Sequence, residues 1–97
     1  MVVLNSILPR ANRLGDRLND YNPWHEISNL NAMLECYSHI TPRVEFFNAT
    51  SLFIRVVQGH EVQNGELFQD PVHPNAAGSE IWGRAIVRKV IELAELG

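Results

Sequence analysis

Strand-like and helix-like patterns alternate along this chain, and that alternation predicts an α/β fold with a parallel sheet. Three observations carry the expectation. Val2 to Leu8 is a short, β-branched and almost continuously apolar run, the pattern of a strand buried on both faces of a parallel sheet. A helical stretch follows after Asn22-Pro23, and Val44-Glu45-Phe46-Phe47-Asn48 then reads as a second strand. From Asn75 to the end the pattern is helical again.

The elements can be justified in order. Pro9 stops the first strand, and the polar stretch from Arg10 to Asn22, with Gly15 inside it, reads as a long surface loop. Asn22 suits a helix cap and Pro23 a first helical position. Ile27, Leu30, Met33, Leu34 and Tyr37 recur at helical spacing and form one apolar face, until Pro42 blocks continuation. Beyond the second strand, Leu52 to Val57 is apolar, and Asn64-Gly65 between Val62 and Leu67-Phe68 has the composition of a tight hairpin turn. In the last helix Ile81, Trp82, Ala85, Ile86, Val90 and Leu93 make a broad stripe expected to be buried. Glu80, Arg84, Arg88 and Glu92 recur every fourth residue, the spacing of a solvated face with ion pairs.

Composition narrows the function classes. A net charge of -3 and the absence of any Lys/Arg cluster give no basic field for nucleic acid or for a membrane surface, and no apolar run is long enough to span a bilayer. The single cysteine, Cys36, has no internal disulfide partner and falls in the helical pattern, so a small buried apolar role is expected. His25, His39 and His60 show no metal spacing, and capping or surface roles are expected of them. Packing is the default for Trp24 and Trp82. Arg10 follows the C-terminal end of a strand, the edge where open α/β sheets bind ligands, and reads either as a solvated loop arginine or as a ligand contact.

The residues that carry chemistry are Asp70 and His73, in the run Asp70-Pro71-Val72-His73-Pro74-Asn75-Ala76-Ala77-Gly78. An Asp three residues before a His is weak evidence by itself, and its surroundings raise its value. Pro71 and Pro74 each push the residue before them out of the helical region, so both side chains sit on a stiffened loop just ahead of a helix. A carboxylate on imidazole Nδ1 fixes which ring nitrogen faces a substrate, and Asp70 is near enough along the chain to supply one.

Asp-x-x-His-Pro-Asn-x-x-Gly opening a terminal amphipathic helix resembles the last sequence block of the SGNH-type (GDSL-type) ester hydrolases and lipases. Val3 to Arg10 is similar to the strand ending in Leu-Pro-Arg of their acetylhydrolase-like members. Asn29 to Leu34 and Val44 to Asn48 resemble the helix and strand that follow. The resemblance spans essentially the whole chain, although only the Asp70–Gly78 block is specific. It implies that residues 1–97 are the C-terminal portion of a single SGNH-like domain, with a flavodoxin-like three-layer α/β/α fold. It further implies that His73 is a general base for a serine hydroxyl, that Asp70 orients it, that no cofactor or metal takes part, and that the substrate is a small acyl ester.

The family's Gly-Asp-Ser nucleophile block has no match here, since Ser6, Ser28, Ser38, Ser51 and Ser79 all lack that context. The oxyanion-hole blocks are unmatched too, because Leu18-Asn19-Asp20 has neither the strand nor the glycine that the asparagine block needs. Two strands cannot complete a doubly wound sheet, and Met1 to Leu4 opens abruptly into the first of them. The expectation is therefore a chain inactive alone, whose nucleophile lies in an N-terminal half not contained in it. The alternative is a non-catalytic remnant or half-domain that associates with another copy, or with a complementary fragment, through its exposed first strand. The sequence says nothing of the compartment.

Overall fold

In the computed structural model, which describes residues Met1–Leu96, β1 (Val2–Asn5) and β2 (Val44–Phe47) pair in parallel, with Val2 opposite Val44 and Asn5 opposite Phe47. Between them runs α1 (Trp24–Ile40), which packs against β2. A short 3-10 turn over Thr50–Phe53 leads into an antiparallel hairpin, β3 (Ile54–Val57) and β4 (His60–Gln63), and α2 (Ala76–Leu96) closes the order. The architecture is mixed α/β, with two small sheets. Among the described residues no helix is long and apolar enough to cross a membrane.

β1 is less covered than its sequence suggests. Val2 is 54% exposed, and the far edges of β1 and β2 pair with no strand among the described residues. The loop after β1 is not wholly on the surface, because Leu18 and Ala11 are buried and Arg17 bridges to Val62. At the start of α1 the cap is Pro23, not Asn22, and no side chain accepts a capping bond. A 3-10 turn over Leu18–Asp20 delivers a backbone acceptor instead, and the Trp24 N–H donates to the Tyr21 carbonyl at 2.9 Å.

The inward face of α1 is also rotated from the apolar stripe. Trp24 and Ser38 are buried and Ile27, Asn31 and Leu34 are half-buried, whereas Leu30, Met33 and Tyr37 of the expected stripe are exposed. Asn31 Oδ1 accepts the Ile7 N–H at 2.7 Å and its Nδ2 donates to the Ile7 carbonyl at 3.1 Å, just past the point where β1 ceases to pair. These two bonds tie the middle of α1 to the strand exit and set Asn31, a polar position, toward the sheet. Cys36, on the outward side, is exposed rather than buried.

The hairpin turns at Gln58-Gly59, not at Asn64-Gly65. Both turn residues have positive φ, 50° and 79°, as a two-residue type I′ connection between Val57 and His60 requires. Asn64 caps a 3-10 turn over Gly65–Leu67 by accepting the Glu66 N–H at 3.3 Å.

On α2, Trp82, Ala85, Ile86 and Leu93 are half-buried as the stripe predicts, but Ile81 and Val90 stay exposed. Glu80 and Arg84 form the expected ion pair at 2.6 Å. Trp82 Nε1–H donates to Asn5 Oδ1 at 3.0 Å, fastening the helix to the end of β1. The packed centre is small: Phe53, Leu67 and Phe68, flanked by Leu8, Leu52 and Trp82. Phe53 meets Phe68 and Trp82 edge-on, at centroid separations of 5.3 and 6.0 Å. With so few side chains sharing the burial, Phe53→Ala should cost about 3–5 kcal/mol, read as a shift of the urea midpoint.

Candidate functional site

The segment carrying Asp70 and His73 is a loop closed at its base. Phe68 and Pro74 form an antiparallel bridge, and the Gln69 N–H donates to the His73 carbonyl at 2.9 Å. On one side the loop is anchored by buried Phe68, and on the other by the first turn of α2. Asn75 caps that helix, its Oδ1 accepting the Gly78 N–H at 2.9 Å while its Nδ2 donates to the Glu66 carbonyl at 2.8 Å. Gly78 is buried against Leu67, and a Cβ at this position would collide with the Leu67 carbonyl oxygen and crowd Phe53. The Asn and Gly of the sequence block are thus explained by packing. They seat the helix, and the helix fixes one end of the loop.

Within the loop the Asp70 carboxylate gathers three donors. The Val72 and His73 N–H groups both donate to Oδ1 at 2.7 Å, and His73 Nδ1 lies 2.9 Å from Oδ2. The backbone bond from Val72, then the His73 ring and the His73 N–H, hold the Asp70 carboxyl below the usual carboxylate range. An ionised carboxylate only accepts, so the proton of the neutral ring resides on Nδ1. Nε2 is left as the free lone pair, with no hydrogen-bond partner among the described residues. The ring is largely open, its side chain 67% exposed. The structure therefore brings together the two residues expected to act together, with the Asp70 carboxylate on Nδ1 and Nε2 unbonded.

It brings no nucleophile to them. Ser6 is buried and bonded to Thr50, Ser38 donates to the Glu35 carbonyl and Ser51 to that of Asn48. No serine hydrogen-bonds His73 among the described residues. Arg10 lies with its guanidinium 5.9 Å from the centre of the Tyr21 ring. His25 pairs with Asn29 on α1, and no group of three metal-ligating side chains occurs among the described residues. Two clefts lie away from this loop. One of about 430 Å³ is lined by Phe47, Leu52, Ala85 and Arg88, another of about 310 Å³ by Met1, Val3, Val90 and Leu93, and neither includes Asp70 or His73.

Gln63 was not apparent as a site residue in the sequence. It is 1% exposed, and its amide donates to the carbonyls of Pro9 and Pro71 at 3.2 and 2.9 Å. Its Oε1 accepts the Gly15 N–H at 3.1 Å. A glutamine at the end of a short strand carries no signal for such a role, because its partners are distant in sequence.

No protein-family model matches the chain, and no curated protein or solved structure matches it either.

Two measurements follow from this geometry. Because the folded-state pKa of Asp70 is lowered, its contribution to stability is complete above the ordinary aspartate value of about 3.9, and is lost as pH falls from there through the lower folded-state value. Urea denaturation across that window should show less acid-dependent loss in Asp70→Asn than in the wild type. Asn75→Ala, which removes the cap, should cost about 1 kcal/mol in the same assay.

Proposed function

We propose that this chain is the base-bearing part of an SGNH-type serine ester hydrolase acting on acetyl or other short acyl esters. His73 is the general base, Asp70 its orienting carboxylate, and the nucleophilic serine comes from residues outside 1–97. One observation carries the reading: Asp70 holds the proton of His73 on Nδ1 and leaves Nε2 open, on a loop anchored at both ends.

In the proposed reaction Nε2 takes the serine proton as the hydroxyl oxygen attacks the ester carbonyl. The same proton then passes to the departing alcohol, leaving an acyl-enzyme. Water repeats the sequence and releases the acid. The Asp70 carboxylate stabilises the imidazolium present between the two transfers. Donors to the oxyanion also belong to the complementary residues in this reading, since the family's oxyanion blocks have no counterpart in residues 1–97.

A flavodoxin-like three-layer α/β/α domain is the fold this reading requires, with residues 1–97 as its C-terminal portion. The parallel β1–β2 pair with intervening α1 supports it, as does the attachment of α2 to β1 through Trp82 and Asn5. The unpaired outer edge of β1 is where further parallel strands would add, and the exposed Leu30, Met33, Val90 and Ile91 are apolar surface for the helices that would accompany them.

That same edge favours a second reading, a non-catalytic half-domain that pairs with another copy of itself. The apolar cleft beside Met1 and Val3 is the observation behind it.

The test is hydrolysis of p-nitrophenyl acetate by the assembled protein containing these residues, with fluorophosphonate labelling of its serine. The label is expected on a serine outside residues 1–97, with kcat/KM reduced about 10³-fold or more in His73→Ala and about 10²–10⁴-fold in Asp70→Asn. Undiminished turnover in His73→Ala would overturn the esterase reading. An inactive homodimer, split by a charge at Val3, would establish the second one.

A further inference from the structure

We infer that Gln63 is a positioning residue that holds the Asp70–His73 loop against the loop leaving β1; its catalytic consequence rests on the reading of His73 as a base. Three segments meet at this one side chain. Its amide nitrogen bridges the carbonyls of Pro9, four residues beyond β1, and Pro71, between Asp70 and His73. Its carbonyl oxygen takes the Gly15 N–H, and its own backbone N–H donates to the Asp16 carbonyl at 3.0 Å. Both amide hydrogens and the oxygen are used, so the buried side chain is fully satisfied.

The internal geometry of the Asp70–His73 pair does not need Gln63, because Asp70 reaches only the next few residues. What Gln63 determines is where that rigid unit sits. Among the described residues, the other hydrogen bond between the loop and the β1 exit is that of the Ala11 N–H to the Pro71 carbonyl, a long one at 3.4 Å. Without the amide bridge, Pro9 and Pro71 present two carbonyl oxygens with no shared donor, and the loops have reason to part. A base displaced by about 1 Å from its nucleophile can lose on the order of 10²-fold in rate.

The discriminating variant is Gln63→Met, close in shape and lacking donors. Amide exchange on the chain should show protection of Ala11 reduced tenfold or more, while the amides of α2 keep theirs. Imidazole ¹⁵N shifts should still report the proton on Nδ1. In the assembled esterase, kcat per folded molecule should fall about 10–100-fold with KM nearly unchanged, a split that a general loss of stability would not produce. Wild-type protection at Ala11 in a folded Gln63→Met overturns the inference. Should that variant fail to fold, Gln63→Glu replaces it. Its carboxylate faces two carbonyls when ionised and regains a donor when protonated, so Ala11 protection must rise on acidification, and a pH-independent value overturns the inference. The exchange result stands apart from the esterase assay: intact hydrolysis in His73→Ala removes the catalytic role while leaving the docking role decided by Ala11.

Discussion

The approach of Gly78 to the Leu67 carbonyl governs most of what is organised in this molecule. No other residue type fits there, because a Cβ would meet backbone that cannot yield. The contact lets the first turn of α2 press against the turn over Gly65–Leu67, and it seats Trp82 on the edge of Phe53. Asn75 spans the same junction, with one end of its amide on the helix and the other on Glu66. The chain between Phe68 and Pro74 then has both ends fixed and little freedom left. That restriction, rather than burial, holds Asp70 and His73 in register.

An exposed carboxylate–imidazole pair contributes little to stability by itself, since water competes for both partners. Here the pair is ordered by the backbone donors of Val72 and His73, which fix the orientation of the carboxylate that meets the ring. The arrangement is chemically primed but electrostatically weak. Catalytic strength from such a pair requires a drier surrounding with donors aimed at the developing oxyanion, and the surface around His73 is open. The chemistry and the incomplete cover are what the proposed reading expects of a site finished by other residues.

The wider packing agrees. A radius of gyration of 14.3 Å exceeds the roughly 13 Å usual for a domain of about 100 residues. Two strands give a parallel sheet open at both edges among the described residues, whereas parallel sheets are ordinarily larger and covered on both faces. Apolar side chains on α1 and α2 that would face a core in a larger domain instead meet solvent. Gln63 and Asn31 take up part of the burden as polar anchors, each tying a loop or helix to backbone groups that the short sheet leaves unpaired.

Much of the fold was legible in the residues themselves. Hydrophobic periodicity located both helices and both parallel strands, and Pro42 marked the end of α1, because these signals are local and act through sterics of adjacent residues; β1 instead stops at Asn5, well before Pro9, where its pairing with β2 ends. The Asp70–His73 pairing was legible for the same reason, as its partners lie within three residues. The hairpin was misplaced because Asn64-Gly65 has turn composition, yet Asn64 caps a 3-10 turn over Gly65–Leu67. The inward face of α1 was legible only in part: Ile27 and Leu34 turn inward, but Asn31 joins them to bond the Ile7 backbone, and Leu30, Met33, Cys36 and Tyr37 meet solvent. Only the tertiary structure could reveal Gln63, whose partners are up to 54 residues away. Local sterics and periodicity are written in neighbouring residues, whereas the satisfaction of buried polar groups is decided when distant segments meet.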